Sequence, residues 1–141
     1  MMVRQAHHFA QGSGPRIAVT LGDPGGIGPE VTLKALARLP ISQRESIVLL
    51  GDEAYYSQLA KKLSPKTSFN YFFTEVFPKK IVLGLSVITQ TRLAVASIDL
   101  AVKLAMQGAV DAIVTAPINK AGLKKAGYTL PGHTEYLAEI S

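Results

Sequence analysis

The feature that most constrains the fold is the stretch LGDPGGIGPEVTLKAL, Leu21–Leu36, which joins an apolar run to a helical pattern through glycines and prolines. The preceding run RIAVTL, Arg16–Leu21, is rich in β-branched residues and is typical of a buried strand. Pro29 stands at the favoured first position of a helix, and an amphipathic pattern predicts that helix over Pro29–Arg38, with Val31 on its apolar face. Strand, Gly-rich turn and helix therefore follow one another directly, as they do in an α/β unit.

The same alternation continues along the chain. A second strand is predicted at Ser46–Leu50 and a third at Asp111–Thr115, with loops and a short strand between Ser64 and Gly84. Helices are predicted from the residue after Asp52 through Leu63, over Thr91–Gln107, over Asn119–Ala126 and from about Thr134 onward. Because each helix can supply the crossover that parallel strands need, we expect an α/β fold with a parallel sheet.

The helix over Thr91–Gln107 has the clearest amphipathic pattern in the chain. Its apolar residues recur three and four apart, at Leu93, Ala96, Leu100 and Leu104. Gly108 follows as the residue expected to end the helix.

Composition limits the class of protein. With 48% hydrophobic and 18% charged residues among 141, and no run of about 18 apolar residues, the chain is predicted to be globular and to lack a membrane span. The absence of cysteine excludes disulfides, thiolate metal sites and a cysteine nucleophile, and it suits a cytoplasmic location. The net charge of +5 comes from scattered lysines and arginines, so we expect small anionic ligands as partners and not nucleic acid.

The two ends of the chain differ from the rest. Residues 1–15 contain no apolar signal-peptide core, and we expect them to be a disordered leader or residues left over from expression. At the other end, the helical pattern that starts near Thr134 stops without a cap or a closing strand. We therefore expect residues 16–141 to be the N-terminal part of a longer protein.

The Gly-rich turn, Gly22–Pro29, allows two interpretations. Unhindered backbone at a helix start is a suitable anion site, because free N–H groups and the helix dipole both point outward there. The glycines also suit a tight turn that needs positive φ. The turn is not a dinucleotide fingerprint, since Val31 stands where that motif needs Gly or Ala, and it lacks the Lys of a phosphate-binding P-loop.

The segment TAPINK, Thr115–Lys120, follows the third predicted strand, at the edge where open α/β sheets bind ligands. Thr115 and Asn119 could form hydrogen bonds to a polar substrate, and Lys120 could hold a phosphate as a point charge. The alternative is that the segment only ends a strand and that Lys120 is solvated.

The segment PGHTE, Pro131–Glu135, places an imidazole, a hydroxyl and a carboxylate in succession at a helix start. Thr134 suits an N-cap, and His133 could face a cleft. A lone histidine is equally compatible with a structural position, and one His with one Glu does not make a metal site.

The three segments GDPGGIGPE, DAIVTAPINKAGL and LPGHTEYLAE, in this order, resemble the 4-hydroxythreonine-4-phosphate dehydrogenase family of vitamin B6 biosynthesis. The resemblance covers Arg16–Ser141. It implies the three-layer α/β/α fold of the isocitrate and isopropylmalate dehydrogenases, incomplete in this chain, with two domains enclosing a cleft. It also implies a homodimer in which two subunits share each active site.

The activity implied by the resemblance is oxidation of 4-(phosphooxy)-L-threonine, followed by loss of carbon dioxide to give 3-amino-2-oxopropyl phosphate. The implied cofactors are NAD or NADP and a divalent metal: Zn, Mg or Co. Related dehydrogenases act on phosphorylated sugar acids such as 4-phospho-erythronate or 4-phospho-threonate, and the motifs do not separate these substrates. A non-catalytic fragment that binds a phosphate ligand and, less favoured, an acyl-phosphate transferase of related fold remain as alternatives.

The resemblance also assigns site residues. His133 and Thr134 are expected to bind substrate. The residues expected to line the cleft are Asp23, Gly26, Gly28, Thr115, Asn119 and Lys120. The histidines that bind the metal in the family lie beyond its GHTE segment and would follow Ser141, so no metal ligand and no catalytic residue is assigned in this chain. The 141 residues alone are therefore predicted to be inactive.

Overall fold

The computed structural model describes residues 14–63, 72–74, 86–129 and 133–140. Four strands form one parallel sheet: β1 (Ile17–Thr20), β2 (Ile47–Leu50), β3 (Phe72–Thr74) and β4 (Ala112–Thr115). The helices are α1 (Gly28–Ala37), α2 (Ile41–Arg44), α3 (Glu53–Leu63), α4 (Val87–Met106), α5 (Lys120–Lys125) and α6 (His133–Ile140). The predicted leader lies outside the described residues except for Gly14 and Pro15, and of the predicted loops between Ser64 and Gly84 only 72–74 are described.

The strand order across the sheet is β3-β2-β1-β4. In the register of the sheet, Ile17 of β1 lies between Ile47 of β2 and Ala112 of β4. The chain thus moves outward from β1 through β2 to β3, and then crosses to the other side of β1 for β4. A parallel sheet of this kind confirms the predicted α/β class.

Helices cover both faces of the sheet. On one face α1 and α3 pack over a core cluster made of Val19, Leu21, Leu33, Leu36, Ile47, Leu49, Tyr56 and Ala60. On the other face α4 packs over a second cluster made of Ala18, Val48, Leu50, Ala101, Leu104 and Val110. Successive residues of one strand point to opposite faces, so all four residues of β2 are buried between the two helical layers. The three-layer α/β/α arrangement is confirmed.

The amino end of α4 differs from the prediction. The helix begins at Val87, four residues before the predicted start at Thr91. Ser86 is the N-cap, and its hydroxyl accepts a hydrogen bond from the backbone N–H of Thr89 at 3.3 Å. The cap satisfies one of the backbone donors that a helix start leaves open, and it therefore fixes the start upstream of the apolar pattern.

Of the four apolar residues that recur three and four apart in α4, Leu104 is buried at 6% exposed, and Leu93, Ala96 and Leu100 are half-buried. The apolar residues of α4 that are buried beside Leu104 are Ala94, Val95, Ile98, Ala101 and Val102. Helix α4 packs against α5 and α6 as well as against the sheet. The buried face of α4 is therefore wider than the line of those four residues.

Two local features agree with the sequence pattern, and a third was not predicted from it. The predicted helix Asn119–Ala126 is observed as α5, with Asn119 as its N-cap. Gly108 follows α4 with φ of 66°, the left-handed conformation that ends a helix. The single turn α2, which the sequence did not predict, follows Pro40, and its Arg44 Nε donates to the Leu39 carbonyl at 2.9 Å.

Candidate functional site at the switch point of the sheet

The carboxyl ends of β1 and β4 lie side by side at the switch point of the sheet, where the strand order reverses. The loop after β1 leads to α1 on one face, and the loop after β4 leads to α5, which packs on α4 at the other face. Ligands of open α/β sheets bind in the crevice outside such a switch point. The first two sequence motifs, Gly22–Pro29 and Thr115–Lys120, are the two loops that border it.

A buried carboxylate joins the two loops. Asp23 is 5% exposed, and its Oδ2 accepts a hydrogen bond from the backbone N–H of Asn119 at 2.5 Å. The other carboxylate oxygen, Oδ1, is buried and has no hydrogen-bond partner among the described residues. Sequence separation between the two partners is 96 residues, so this contact exists only because β4 lies beside β1.

Gly22 brings the backbones of the two loops together. It adopts φ of 73°, and a Cβ at this position would lie 2.2 Å from the carbonyl oxygen of Pro117. Both the conformation and the close approach require glycine. At Gly22 the interpretation of the motif as a tight turn with positive φ is therefore confirmed.

The amides of the Gly-rich loop are partly used by the protein. Gly25 N–H donates to Gln90 Oε1 at 3.1 Å, and Gly26 N–H donates to the Asp23 carbonyl at 2.9 Å. Pro24 and Pro29 have no N–H to offer. The loop has fewer donors for an anion than its sequence indicates, and its use as an anion site stays a prediction.

Two side chains that the sequence did not assign brace this loop. Gln90 extends from α4, and Tyr55 extends from α3, where its hydroxyl donates to the Pro24 carbonyl at 2.7 Å. The Tyr55 hydroxyl is protonated at neutral pH and can donate, and burial raises its pKa further. No local pattern marks either residue, because each meets the loop only after the sheet has assembled.

The predicted site residues differ in exposure. Asp23 and Gly28 are buried, Thr115 is half-buried, and Gly26, Asn119, Lys120 and Thr134 are exposed. Of these, the structure joins Asp23 to Asn119 directly. His133 is the first residue of α6, and its side chain lies outside the described part of the structure.

The third motif is carried by α6, which packs on α4. The Tyr136 hydroxyl donates to Asp99 Oδ1 of α4, and burial together with this hydrogen bond raises the pKa of Tyr136. The Tyr136 ring also meets that of Tyr128 edge to face, with centroids 6.3 Å apart. Helix α4 therefore supports both the Gly-rich loop, through Gln90, and the helix that begins with His133 and Thr134.

An apolar groove of about 370 Å³ lies between α1 and the β1–β4 part of the sheet. Val31 of α1 and Val114 of β4 border it, and each is 50% exposed. Val31 was predicted to lie on the buried face of the helix, and that prediction is wrong. The helix covers β1 and β2, where Leu33 and Leu36 pack, and leaves the outer side of β4 uncovered.

Neither a metal cluster nor a membrane-spanning helix is found in the described ranges. Within them, no group of three or more His, Cys, Asp or Glu side chains could hold a metal ion. None of the helices in these residues is long and apolar enough to cross a membrane.

Comparison with known proteins gives consistent results. A 4-hydroxythreonine-4-phosphate dehydrogenase structure from Klebsiella pneumoniae matches with a TM-score of 0.70 and 36% identity, over 90% of this chain and 44% of that chain. A 4-hydroxythreonine-4-phosphate dehydrogenase from Thermosynechococcus vestitus is 36% identical over 131 residues, which are 89% of this chain and 38% of the relative. A D-threonate 4-phosphate dehydrogenase from Pectobacterium atrosepticum is 36% identical over 142 residues, 89% of this chain and 44% of the relative.

The chain thus spans about two fifths of the length of these relatives, all of which are named as dehydrogenases. The sequence profile of the family described as pyridoxal phosphate biosynthetic protein PdxA matches residues 34–141. That match includes the second and third motifs, and the fold matches the solved structure of a relative over nearly all of the chain. The chain therefore belongs to the PdxA family of pyridoxal phosphate biosynthetic proteins.

Proposed function

We propose that residues 16–141 are the N-terminal part of a two-domain dehydrogenase that oxidises 4-(phosphooxy)-L-threonine in vitamin B6 biosynthesis. The product is 3-amino-2-oxopropyl phosphate, formed by oxidation of the C3 hydroxyl and loss of carbon dioxide. The observation that supports this proposal is the position of the first two motifs on either side of the switch point, in a chain of the PdxA family. The proposed protein is a cytoplasmic homodimer whose subunits share each active site.

His133 and Thr134 are the proposed substrate contacts. The proposed lining of the cleft comprises Asp23, Gly26, Gly28, Thr115, Asn119 and Lys120. Lys120 is exposed at the first position of α5, directly after the loop that follows β4, where an ammonium group suits a phosphate dianion. Thr115 lies half-buried at the end of β4 and offers a hydroxyl as a hydrogen-bonding group.

Bound NAD or NADP would accept the hydride, and a bound divalent metal such as Zn, Mg or Co would stabilise negative charge on the substrate oxygen. The described residues do not provide a metal site, so no step through the metal is assigned to them. What this part of the chain contributes is binding and orientation of the phosphorylated substrate at the edge of the sheet.

A second candidate is a dehydrogenase for a phosphorylated sugar acid. The Pectobacterium atrosepticum relative is named D-threonate 4-phosphate dehydrogenase and is as similar to this chain as the Thermosynechococcus relative. Threonate carries a hydroxyl at C2 where the threonine compound carries an ammonium group. The discriminating contact is therefore the one to C2 of the substrate.

The first experiment measures absorbance at the NADH band, using the longest natural form of the protein with NAD, a divalent metal and one substrate at a time. Turnover of 4-(phosphooxy)-L-threonine alone supports the first candidate, and turnover of 4-phospho-threonate or 4-phospho-erythronate supports the second. If a folded protein turns over none of these substrates, the remaining interpretation is a protein that binds a phosphate ligand without catalysis. We expect the 141-residue chain to show no turnover, and measurable NADH formation by it would contradict that prediction.

Substitution of Thr134 tests the substrate contact in the same assay. Thr134→Ala is expected to raise KM about tenfold, because one hydrogen bond to a charged substrate contributes roughly 1.5 kcal/mol. The matched control is Thr129→Ala, which removes the hydroxyl of another exposed threonine, located before α6. Equal KM values for the two variants would exclude Thr134 as a substrate contact.

A further inference from the structure

The carboxylate of Asp23 is more buried than a simple link between two strands requires. Two carboxylates join β1 and β4, one at each end of the pair. At the amino end, Asp111 Oδ2 accepts the backbone N–H of Arg16 at 2.7 Å, and the Asp111 side chain is 52% exposed. At the carboxyl end, Asp23 makes the same type of bond to Asn119 while 5% exposed.

Burial of a carboxylate is unfavourable unless its oxygens are hydrogen-bonded. Asp23 satisfies only one oxygen within the described residues, and Oδ1 remains a buried acceptor without a partner there. Asp111 shows that an exposed carboxylate can hold the same two strands together at no such cost. Holding the sheet together therefore does not explain the burial of Asp23.

The position of Asn119 explains it better. Asn119 is the N-cap of α5, and its side-chain Oδ1 accepts from Gly122 N–H at 3.2 Å. The backbone N–H of the same residue is the donor to Asp23. The carboxylate therefore fixes the residue from which α5 starts, and with it the backbone position of Lys120. A hydrogen bond to an ionised carboxylate is shorter and roughly twice as strong as a neutral one.

Gly22, next to Asp23, brings the two loops to their closest approach. Its backbone lies against the Pro117 carbonyl so tightly that a side-chain carbon would overlap it. Gly25, on the other side of Asp23, is held by Gln90 of α4. The Asp23 carboxylate thus lies between two points at which its loop is held in place, and it transmits that order to the loop after β4.

We propose that Asp23 is a positioning residue for the reaction of this protein: its carboxylate holds the Asn119 backbone and so sets the loop after β4 at the geometry that binds the phosphorylated substrate. This inference rests on the proposed function for its effect on turnover, whereas the effect on Asn119 is independent of it. Asp23 acts through Asn119 and Lys120 and is not proposed to touch the reacting atoms.

The test compares Asp23→Ala, Asp23→Asn and the control Asp111→Ala in the longest natural form of the protein. Amide hydrogen exchange at Asn119 is expected to accelerate about 10- to 100-fold in Asp23→Ala, because the bond to a charged acceptor is lost. Asp23→Asn keeps an oxygen that can accept from Asn119, so we expect exchange within a few-fold of wild type. Asp111→Ala is expected to leave Asn119 unchanged.

Steady-state kinetics with 4-(phosphooxy)-L-threonine and 4-phospho-threonate are measured on the same proteins. Asp23→Ala is expected to lower kcat/KM about 100-fold, mainly through KM, because displacement of binding groups by about 1 Å has effects of this size. Asp23→Asn should recover most of the loss, and Asp111→Ala should retain wild-type values. A merely structural role for Asp23 would lower the melting temperature of Asp23→Ala without this split between KM and kcat.

Two results would overturn the proposal: unchanged exchange at Asn119 in Asp23→Ala, or faster exchange there with wild-type kcat/KM. If Asp23→Ala does not fold, the Asp23→Asn and Asp111→Ala pair decides: the weaker amide acceptor in Asp23→Asn is expected to speed exchange at Asn119 by a few-fold, and Asp111→Ala is expected to leave it unchanged. Exchange at Asn119 that is the same in both variants as in wild type would then overturn the proposal. Absence of turnover by the wild-type protein would refute the proposed function. In that case the exchange measurements alone decide whether Asp23 positions Asn119.

Discussion

The tripeptide Leu-Gly-Asp occurs at the ends of two neighbouring strands: Leu21–Asp23 follows β1, and Leu50–Asp52 starts at the last residue of β2. The two aspartates nevertheless have different contacts. Asp52 Oδ1 accepts from the backbone N–H of Tyr55 at 2.7 Å, three residues further on, and so caps its own helix. Asp23 instead accepts from Asn119, 96 residues away.

The difference arises from the distance between each aspartate and the next helix. Helix α3 begins at Glu53, directly after Asp52, so its early N–H groups are within reach of that side chain. Between Asp23 and α1 the chain inserts Pro24–Ile27, which includes a proline without an N–H. The same local sequence therefore produces a helix cap in one place and a link between loops in the other.

The largest difference in stability between the two tripeptides is expected when their glycines are substituted. Gly22→Ala would place a Cβ 2.2 Å from a backbone carbonyl in a residue with positive φ, so we expect a loss of about 2–4 kcal/mol in the free energy of unfolding. Gly51→Ala would place its Cβ 2.2 Å from the buried ring of Tyr56, but without the positive φ of Gly22, so we expect a smaller loss. Urea unfolding of both variants measures the difference, and a Gly51→Ala variant at least as unstable as Gly22→Ala would contradict it.

A smaller effect is expected for the helix cap. Asp52→Ala should lower the free energy of unfolding by about 1 kcal/mol, the usual contribution of an N-cap aspartate. The increase in amide exchange should be confined to the first turn of α3, at Tyr55 and its neighbours, and should leave Asn119 as it is. Faster exchange at Asn119 would show that the two aspartates are coupled and would remove the distinction between them.

The smallest effect is expected where the two regions touch. The Tyr55 hydroxyl links the helix capped by Asp52 to the loop that carries Asp23, through the Pro24 carbonyl. Tyr55→Phe removes one partly exposed hydrogen bond, so we expect about 0.5 kcal/mol of destabilisation. Hydrogen exchange at Gly25 and Gly26 is the sensitive measurement, and a loss of stability larger than that of Asp52→Ala would reverse the expected ranking of the two variants.

Local features of the sequence accounted for most of the elements. The strand at Ser46–Leu50, the helix that starts near Asn119 and the stop at Gly108 each depend on a few adjacent residues, and the structure confirms all three. Ser86 as the cap of α4 could have been found in the same way, because a serine directly before an apolar segment, here one that begins at Val87, is a typical start signal.

The contacts that build the candidate site could not be predicted in this way. The bonds from Asn119 to Asp23 and from Gly25 to Gln90 join residues that are 96 and 65 positions apart. They depend on β4 lying beside β1 and on α4 packing across the opposite face, and neither arrangement is encoded in a short pattern. The motifs indicated which loops matter, and the topology determines which atoms of those loops meet.

The strand order β3-β2-β1-β4 also has a consequence for how the chain folds. β1 is central, yet one of its neighbours, β4, pairs Ala112 with Ile17, which lies 95 residues earlier. During synthesis, helices and the β1–β2 pair can form as soon as their residues have emerged, whereas one edge of β1 has to wait for nearly the whole of this segment. Closing such a large loop costs chain entropy before any contact offsets it. Sheet completion is therefore expected to be the slow phase of folding, and the crevice between the two motifs is the last part of this segment to take shape.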